Sequence, residues 1–160
     1  MNSPTDTRYL GNTGGLDPLV PLPALIDPAH YEREVERIFR RSWLLVGNTY
    51  DLPLPGSYLV LDMPTFNTSL LISRGHDNQI RAFHNICIHR GNKLVRSGSG
   101  TRKAHSCGFH GWTYSAEGKL IGVTDRPMFG DMELEKMGLP EVHCATSVSY
   151  THLTLPTILL

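Results

Sequence analysis

Four side chains that can bind metals stand in two short motifs in the middle of the chain. The first motif, at 87–91, reads Cys-Ile-His-Arg-Gly and contains Cys87 and His89; the second, at 107–112, reads Cys-Gly-Phe-His-Gly-Trp and contains Cys107 and His110. Each motif offers one thiolate and one imidazole, and both groups bind transition metals. Two Cys and two His form a ligand set that suits two irons bridged by sulfides, so the pattern predicts a [2Fe-2S] cluster held between two loops.

Two other interpretations of these residues stay open on spacing alone. Structural zinc sites also use two Cys and two His, but they usually pair Cys with Cys and His with His, and a gap of one residue between Cys87 and His89 crowds a single ion. A disulfide between Cys87 and Cys107 requires an oxidising compartment, to which nothing in the sequence points. The cluster is therefore the favoured interpretation, with zinc and a disulfide as alternatives.

The two motifs resemble the cluster loops of Rieske non-haem iron oxygenases, the large subunits of ring-hydroxylating oxygenases and their relatives. The resemblance runs from about Ile38 to about Cys144 and covers only the front part of such an oxygenase. Rieske proteins of respiratory complexes carry an extra pair of disulfide-forming cysteines in these loops, whereas this sequence has Arg-Gly-Asn at 90–92 and Phe at 109. The oxygenase or ferredoxin type is therefore indicated.

The resemblance implies how the four residues share the irons and what the domain does. Cys87 and Cys107 would bind the inner iron, and His89 and His110 the outer one. A reductase or ferredoxin would supply electrons, which pass to a mononuclear non-haem Fe(II) in a catalytic domain expected to be missing from this fragment. The parent is expected to be a homo-oligomeric oxidoreductase, either a monooxygenase or a dioxygenase. The alternatives are a stand-alone Rieske-type ferredoxin and, less favoured, a zinc-binding interaction module.

No catalytic residue is assigned in this sequence. An Asp-x2-His-x4-His run, which would bind the oxygen-activating iron of such an oxygenase, is absent. His84 and His105 each stand five residues before a proposed cluster ligand, but Arg81 and Arg102 occupy the positions where the Asp would be needed. Cys144 is predicted to pack as a small apolar side chain. Close to the cluster, backbone N–H groups of the loops, including those of Gly91 and Gly111, are expected to approach sulfur, and Trp112 and Tyr114 to pack beneath the loops.

Composition and charge exclude several function classes. The 160 residues contain fifteen basic and fifteen acidic side chains, so nucleic acid or an anionic membrane is not expected as the main partner. Three cysteines form no even disulfide framework, and the first residues lack the basic and apolar regions of an export signal. No apolar run reaches the roughly twenty residues of a membrane helix. A cytoplasmic location is therefore expected.

The remaining elements are predicted to position the two motifs. Residues 1–26, rich in Pro, Gly, Asn and Thr, are expected to form a flexible arm. Asp27 and Pro28 are typical of a helix start, and an amphipathic helix is predicted over 28–41, within a segment at 27–42. A mainly β Rieske domain of small antiparallel sheets is predicted over 43–146, with strands at 43–47, 57–62, 68–74, 79–84, 102–106, 111–115 and 119–123. The turn residues at 76–78 and at 116–118 are each predicted to close a hairpin. The uncharged stretch at 147–160 departs from the oxygenase pattern and is interpreted as a non-native tail of a truncated gene model.

Overall fold

The described part of the chain consists of one α-helix followed by eleven β-strands. The structure, a computed structural model, describes residues 26–131, 133–147 and 150–154, the last three of these by their backbone alone. The helix α1 spans Pro28–Arg37, and the strands are β1 (Trp43–Asn48), β2 (Ser57–Met63), β3 (Thr68–Arg74), β4 (Ile80–His84), β5 (Ser99–Thr101), β6 (Ala104–Ser106), β7 (Thr113–Ser115), β8 (Leu120–Gly122), β9 (Glu141–Val142), β10 (Cys144–Ser147) and β11 (Tyr150–Thr154).

The strands form three small antiparallel sheets, which confirms the predicted fold class. The central sheet has the order β5-β2-β3-β4-β9, a second sheet the order β1-β11-β10, and the third the order β6-β7-β8. The hairpin between β3 and β4 turns at Asn78, where φ is +63°. The hairpin between β7 and β8 turns at Gly118, where φ is +80°. Both turns lie where the sequence predicts them.

The central sheet is covered on both faces because its strands alternate. On β3, Leu71 packs into a core cluster that also contains Cys87, Cys107, Trp112 and Tyr114. The residues on either side of Leu71 point the opposite way, into a second cluster that the β1-β11-β10 sheet helps to cover. Side chains of a strand alternate between faces. The residues next to the predicted metal site therefore share one core with the central sheet.

The helix begins where the sequence predicts and ends earlier. The Oδ1 atom of Asp27 accepts a hydrogen bond from the Ala29 N–H at 3.0 Å, and Pro28 occupies the first turn. The α-helix stops at Arg37, and a separate 3-10 turn follows at Phe39–Arg41, so the prediction of one helix over 28–41 is too long. Of the predicted apolar face only Val35 is buried. In the described part of the chain, no helix has the length and apolar character needed to cross a membrane.

The predicted strands all fall on observed ones, but several short elements were missed. Strands β5, β9, β10 and β11 were not predicted, nor were the 3-10 turns at Thr49–Asp51, Pro64–Phe66, Arg126–Phe129 and Leu134–Lys136. The strand predicted at 111–115 begins only at Thr113, because the Trp112 carbonyl accepts a hydrogen bond from the Cys107 N–H within the loop. Local composition carries little information on such pieces, since elements of two to five residues are too short to show a clear periodicity.

The predictions for the two chain ends are only partly within the described residues. Those for the N-terminal arm, 1–26, lie outside them except at Ile26. Of the stretch interpreted as a tail, Ser147 ends β10, and 150–154 form β11 between β1 and β10. The positions 155–160 lie outside the described residues, and the interpretation as a non-native tail stays a prediction.

Gly118 offers a test of how tightly the two sheets are packed. A Cβ on Gly118 would lie 2.4 Å from the Phe83 ring, whereas Gly98, with a similar φ of +84°, has no heavy atom within 4 Å of that position. Alanine at either site incurs about 1–2 kcal/mol for a left-handed backbone. We expect Gly118→Ala to lose a further ~1–3 kcal/mol of unfolding free energy by overpacking, measured by denaturant titration. Equal losses in Gly118→Ala and Gly98→Ala would contradict this packing.

Candidate metal centre

The first motif forms a tight loop that closes on its own cysteine. The Cys87 N–H donates to the Asn92 carbonyl at 2.8 Å, and the Cys87 carbonyl accepts from the Gly91 N–H at 2.9 Å. An isolated antiparallel bridge between Ile86 and Lys93 closes the loop below these bonds. Both polar groups of the Cys87 backbone are therefore satisfied inside the loop, and the side chain is fixed relative to it.

The buried side chain of Asn85 anchors the base of this loop. Its Oδ1 accepts from the Val95 N–H at 2.9 Å, and its Nδ2 donates to the Val95 carbonyl at 2.7 Å and to Ser69 Oγ at 3.1 Å. Asn85 is 3% exposed, so these bonds form away from water. The side-chain amide of Asn85 gives the Val95 backbone the two hydrogen bonds that a neighbouring strand would otherwise provide. Its bond to Ser69 joins the loop to β3. Asn85 carries no recognisable signal in the sequence, because its partner Val95 lies ten positions away and outside the motif.

The second motif repeats the backbone pattern of the first. The Cys107 N–H donates to the Trp112 carbonyl at 2.8 Å, and the Cys107 carbonyl accepts from the Gly111 N–H at 3.0 Å. Gly91 and Gly111 have φ values of +71° and +72°, a conformation that glycine adopts without strain. Their N–H groups donate to the cysteine carbonyls. The expectation that these two N–H groups approach sulfur is therefore wrong. The two loops close in the same way although the gap from Cys to His differs between them.

The two cysteines lie at the buried end of the loops. Cys87 is 2% exposed and Cys107 is 4% exposed, and both are free thiols. Burial raises the pKa of Cys107, but hydrogen bonds to its sulfur, chiefly from the Phe109 backbone N–H and the Asn92 amide, outweigh burial and lower this pKa overall. Backbone His110 and the Cys87 thiol contribute to the same lowering. Donors directed at the sulfur favour the thiolate, which is the form that binds metals.

The two histidines lie together nearer the surface. The His89 and His110 rings are 4.6 Å apart between centroids, and both residues are half-buried. His89 also stacks on Trp112, with the centroids 4.6 Å apart and the planes within 8°. Removal from water lowers the pKa of His89, and the nearby charges of His110 and Arg90 lower it further, which favours the neutral form of the ring. Its buried Nδ1 has no hydrogen-bond partner in the structure.

Each cysteine sulfur has one polar side chain in contact with it, Tyr114 for Cys87 and Asn92 for Cys107. The Tyr114 oxygen accepts a hydrogen bond from the Ile88 N–H at 3.1 Å. It also lies 3.2 Å from Cys87 Sγ, and the hydroxyl hydrogen remains available to donate to this sulfur. Burial raises the pKa of Tyr114, as does the contact with Cys87, so the hydroxyl keeps that hydrogen. The Asn92 amide donates to Cys107 Sγ at 3.6 Å. Tyr114 was expected only to pack beneath the loops, and this second role was missed.

The structure thus brings the four proposed ligands together as a cysteine pair below a histidine pair. Among the described residues, no three His, Cys, Asp or Glu side chains converge on a point suited to a single metal ion. Two irons divide the ligands between them and do not need such a convergence. The buried Nδ1 of His89, which has no partner, and the two free buried thiols fit the two-iron cofactor.

Two further histidines, His84 and His105, and the third cysteine lie apart from this arrangement. His84 hydrogen-bonds Thr68 through Nδ1 at 3.1 Å, and burial lowers its pKa. His105 is buried on β6 with its ring edge-on to Tyr58. Cys144 is half-buried on β10, and burial, with the charge of Glu141, raises its pKa to about 11. Neutral packing roles suit all three residues.

A comparison with protein families identifies a matching domain. The family described as the Rieske [2Fe-2S] domain matches residues 42–136, which include both loops. Among curated proteins, a glycine betaine monooxygenase oxygenase subunit from Pseudomonas aeruginosa is 32% identical over 85% of this chain and 31% of its own length. A biphenyl 2,3-dioxygenase subunit alpha from Rhodococcus jostii is 39% identical over 69% of this chain and 23% of its own length.

Solved structures of Rieske oxygenases also align with most of this chain. A quaternary ammonium Rieske monooxygenase, CntA, aligns with a TM-score of 0.77 and 26% identity over 88% of this chain and 39% of its own. Naphthalene 1,2-dioxygenase from a Rhodococcus species aligns with a TM-score of 0.76 and 28% identity over 85% of this chain and 32% of its own. The chain spans less than a third of the length of the two curated relatives.

Replacement of Asn85 tests whether it anchors the first loop. Asn85→Ala leaves the buried N–H and carbonyl of Val95 without partners, at about 1–3 kcal/mol each. We expect a loss of unfolding free energy in that range or above, together with less iron bound per chain after reconstitution. The control is Ser69→Ala, which removes one hydrogen bond of the Asn85 side chain but leaves both bonds to Val95. A larger loss in Ser69→Ala than in Asn85→Ala would disprove the anchoring role.

Proposed function

The chain belongs to the family of Rieske [2Fe-2S] domains, and we propose from that membership that it is the electron-transfer domain of an oxygenase. The curated relatives that it matches are oxygenase components of greater length, so the activity of the whole protein is part of the proposal. The observation that carries the proposal is the pairing of two buried thiols with two half-buried imidazoles on two loops of the same backbone form.

Within this proposal, Cys87 and Cys107 bind the inner iron, and His89 and His110 bind the outer iron. The assignment follows burial, since the cysteines are almost fully enclosed and the histidines are only half-buried. When bound, the cluster takes up and releases one electron, and two neutral His in place of two thiolates give such centres potentials of roughly −150 to +300 mV. Oxygen chemistry is proposed to take place outside this domain.

The residues around the ligands prepare the site for added negative charge. Tyr114 and Asn92 each direct a hydrogen at a cysteine sulfur, and Phe109 and His110 direct backbone N–H groups at Cys107. Hydrogen bonds to sulfur are worth more when the sulfur carries more charge, so these donors favour the reduced state. Trp112 stacks on His89 and restricts its ring orientation. The loops are therefore expected to hold the proposed ligands in place with little rearrangement when the charge of the site changes.

We extend the proposal to partners and location. The electron donor is a reductase or ferredoxin, and the acceptor is a mononuclear non-haem iron in a further domain of a homo-oligomeric parent protein. The names of the relatives include glycine betaine, biphenyl and naphthalene oxygenases, and the charged quaternary amine shares little chemistry with the two aromatic hydrocarbons. The Rieske domain therefore does not define the substrate. Free cysteine ligands support a cytoplasmic location, where thiols stay reduced.

Reconstitution under anaerobic conditions tests the cofactor and its ligands. We expect two irons and two sulfides per chain, and after reduction the paramagnetic signal of low average g typical of His-ligated iron. His110→Cys should keep the cluster but lower its midpoint potential, because a thiolate adds negative charge to the same iron. His84→Cys is the control, since His84 lies outside the loops, and it should leave the potential unchanged. Zinc as the sole bound metal, or an unchanged potential in His110→Cys, would refute the assignment.

Tyr114→Phe tests the hydrogen bond to the inner ligand. Removal of the hydroxyl should lower the midpoint potential by roughly 40 mV for each 1 kcal/mol by which the bond is stronger in the reduced state. The matched control is Tyr58→Phe, which removes a hydroxyl from the same core cluster at a point next to Gly100. Potentials measured by spectroelectrochemical titration should differ from wild type only for Tyr114→Phe. The same shift in both variants would show that the sulfur contact has no special effect.

A further inference from the structure

The balanced charge of the chain conceals a strongly basic segment around the two loops. No Asp or Glu occurs between Asp77 and Glu117, whereas six of the fifteen basic residues lie in that interval. The rest of the chain is correspondingly acidic. Two of the six are neutralised locally, since Arg81 pairs with Asp77 and Lys93 with Asp62, both at 2.7 Å. The basic excess therefore comes from the other four, Arg90, Arg96, Arg102 and Lys103.

A groove beside the loops gathers part of this charge. The groove has a volume of about 630 Å³, and its lining includes Lys93, Arg96 and Arg102 along with Asn92, Gly108 and Phe109. We call it the cationic groove. Arg96 takes part in none of the ion pairs of the described residues and is exposed. The guanidinium of Arg102 is held over the Tyr58 ring, 5.1 Å from its centroid. The groove therefore presents at least two cations that acidic groups of the described residues do not neutralise.

The cationic groove also reaches the residues that contact the proposed ligands. Asn92, in its lining, donates to Cys107 Sγ, and Gly108 follows Cys107 in the chain. Phe109 is 60% exposed at the groove, and its ring centroid lies 3.8 Å from that of His110. A molecule seated in the groove would therefore touch groups one contact away from both a cysteine and a histidine ligand. An exposed aromatic side chain beside exposed arginines is also the composition of a protein-binding hot spot.

We propose that the cationic groove is the docking surface for an acidic electron-donor protein. The inference rests on the proposed function and adds the face and the charge of the partner. Opposite charges speed encounter between proteins and fix their relative orientation, while Phe109 supplies an apolar anchor. A protein is favoured over nucleic acid because the groove ends at the redox ligands and the whole chain carries no net positive charge. In the transfer, one electron leaves the reduced donor and enters this domain, and no bond forms or breaks.

The test uses the reconstituted full chain and an acidic plant-type [2Fe-2S] ferredoxin, whose all-cysteine cluster has a lower potential than a Rieske centre. Binding of the oxidised ferredoxin is measured by calorimetry and the reduction rate by stopped flow, each at low and high ionic strength. We expect Arg96→Gln to weaken binding and slow reduction about two- to fivefold at low salt, with the difference lost at high salt. The control, Arg37→Gln, removes the same charge from the exposed end of α1 and should have little effect.

A second variant predicts a change in the opposite direction. Asp62→Asn frees Lys93 from its ion pair and adds positive charge to the groove, so we expect tighter binding and faster reduction at low salt by a similar factor. Equal effects of Arg96→Gln and Arg37→Gln, or weaker binding in Asp62→Asn, would overturn the proposal. So would an oligonucleotide that binds the chain more tightly than the ferredoxin at the same salt concentration.

The measurements separate this inference from the proposed function. Iron and sulfide content report whether the cluster forms, and calorimetry reports docking without electron transfer. If no cluster forms but ferredoxin still binds in a charge-dependent way, the proposed function is refuted and the docking surface is supported. If the cluster forms but ferredoxin shows no charge-dependent binding, the proposed function is supported and the docking surface is refuted. Midpoint potentials of the variants show whether a slower rate comes from docking or from a changed driving force.

Discussion

The site depends on one constraint, which is that each loop closes on the backbone of its own cysteine. In both loops the cysteine N–H donates to the carbonyl five residues later and the cysteine carbonyl accepts from the glycine four residues later. A buried peptide group without a partner is costly, so this closure stabilises the buried position of the cysteine. It also requires φ values near +70° at Gly91 and Gly111. Two loops of different sequence thereby bury their thiols to a similar extent. The number of residues between cysteine and histidine can still differ between the loops.

The depth of each ligand follows from the layering of the sheets. One core cluster runs from Leu71 on the central sheet to Trp112 and Tyr114 on and beside β7 and includes both cysteines. The loops are thus seated on a packed core, and the same core that stabilises the domain supplies Tyr114, which contacts the Cys87 sulfur. The histidines lie beyond this core, where Trp112 supports one ring from below. Burial falls from the cysteines to the histidines, and in the proposed function this gradient would place electron exchange at the surface end of the site.

Charge is distributed as unevenly as burial. The chain as a whole is neutral, but the segment that contains both loops has basic residues without acidic ones. Composition alone therefore misleads on partners, because the balance of the whole chain averages two regions of opposite sign. Close to the loops, the ion pair with Asp62 compensates the charge of Lys93, whereas Arg96 and Arg102 in the same groove form no ion pair with acidic groups of the described residues. Electrostatic steering acts over about a Debye length, so the local charge matters more than the total.

The sequence by itself determined the family, the cofactor type, the four candidate ligands and most strands, because residue type and spacing define a ligand set and because period-two alternation is a local property. It also located both hairpin turns and the start of the helix, since these depend on single residues such as Asp27 and Gly118. The tertiary structure alone decided the rest: that Tyr114 and Asn92 contact sulfur, that Asn85 anchors the first loop, and that Arg96 and Arg102 line one groove with Phe109. Each of these contacts joins groups brought together by sheet pairing and loop closure, and the motif spacing carries no information about such pairing.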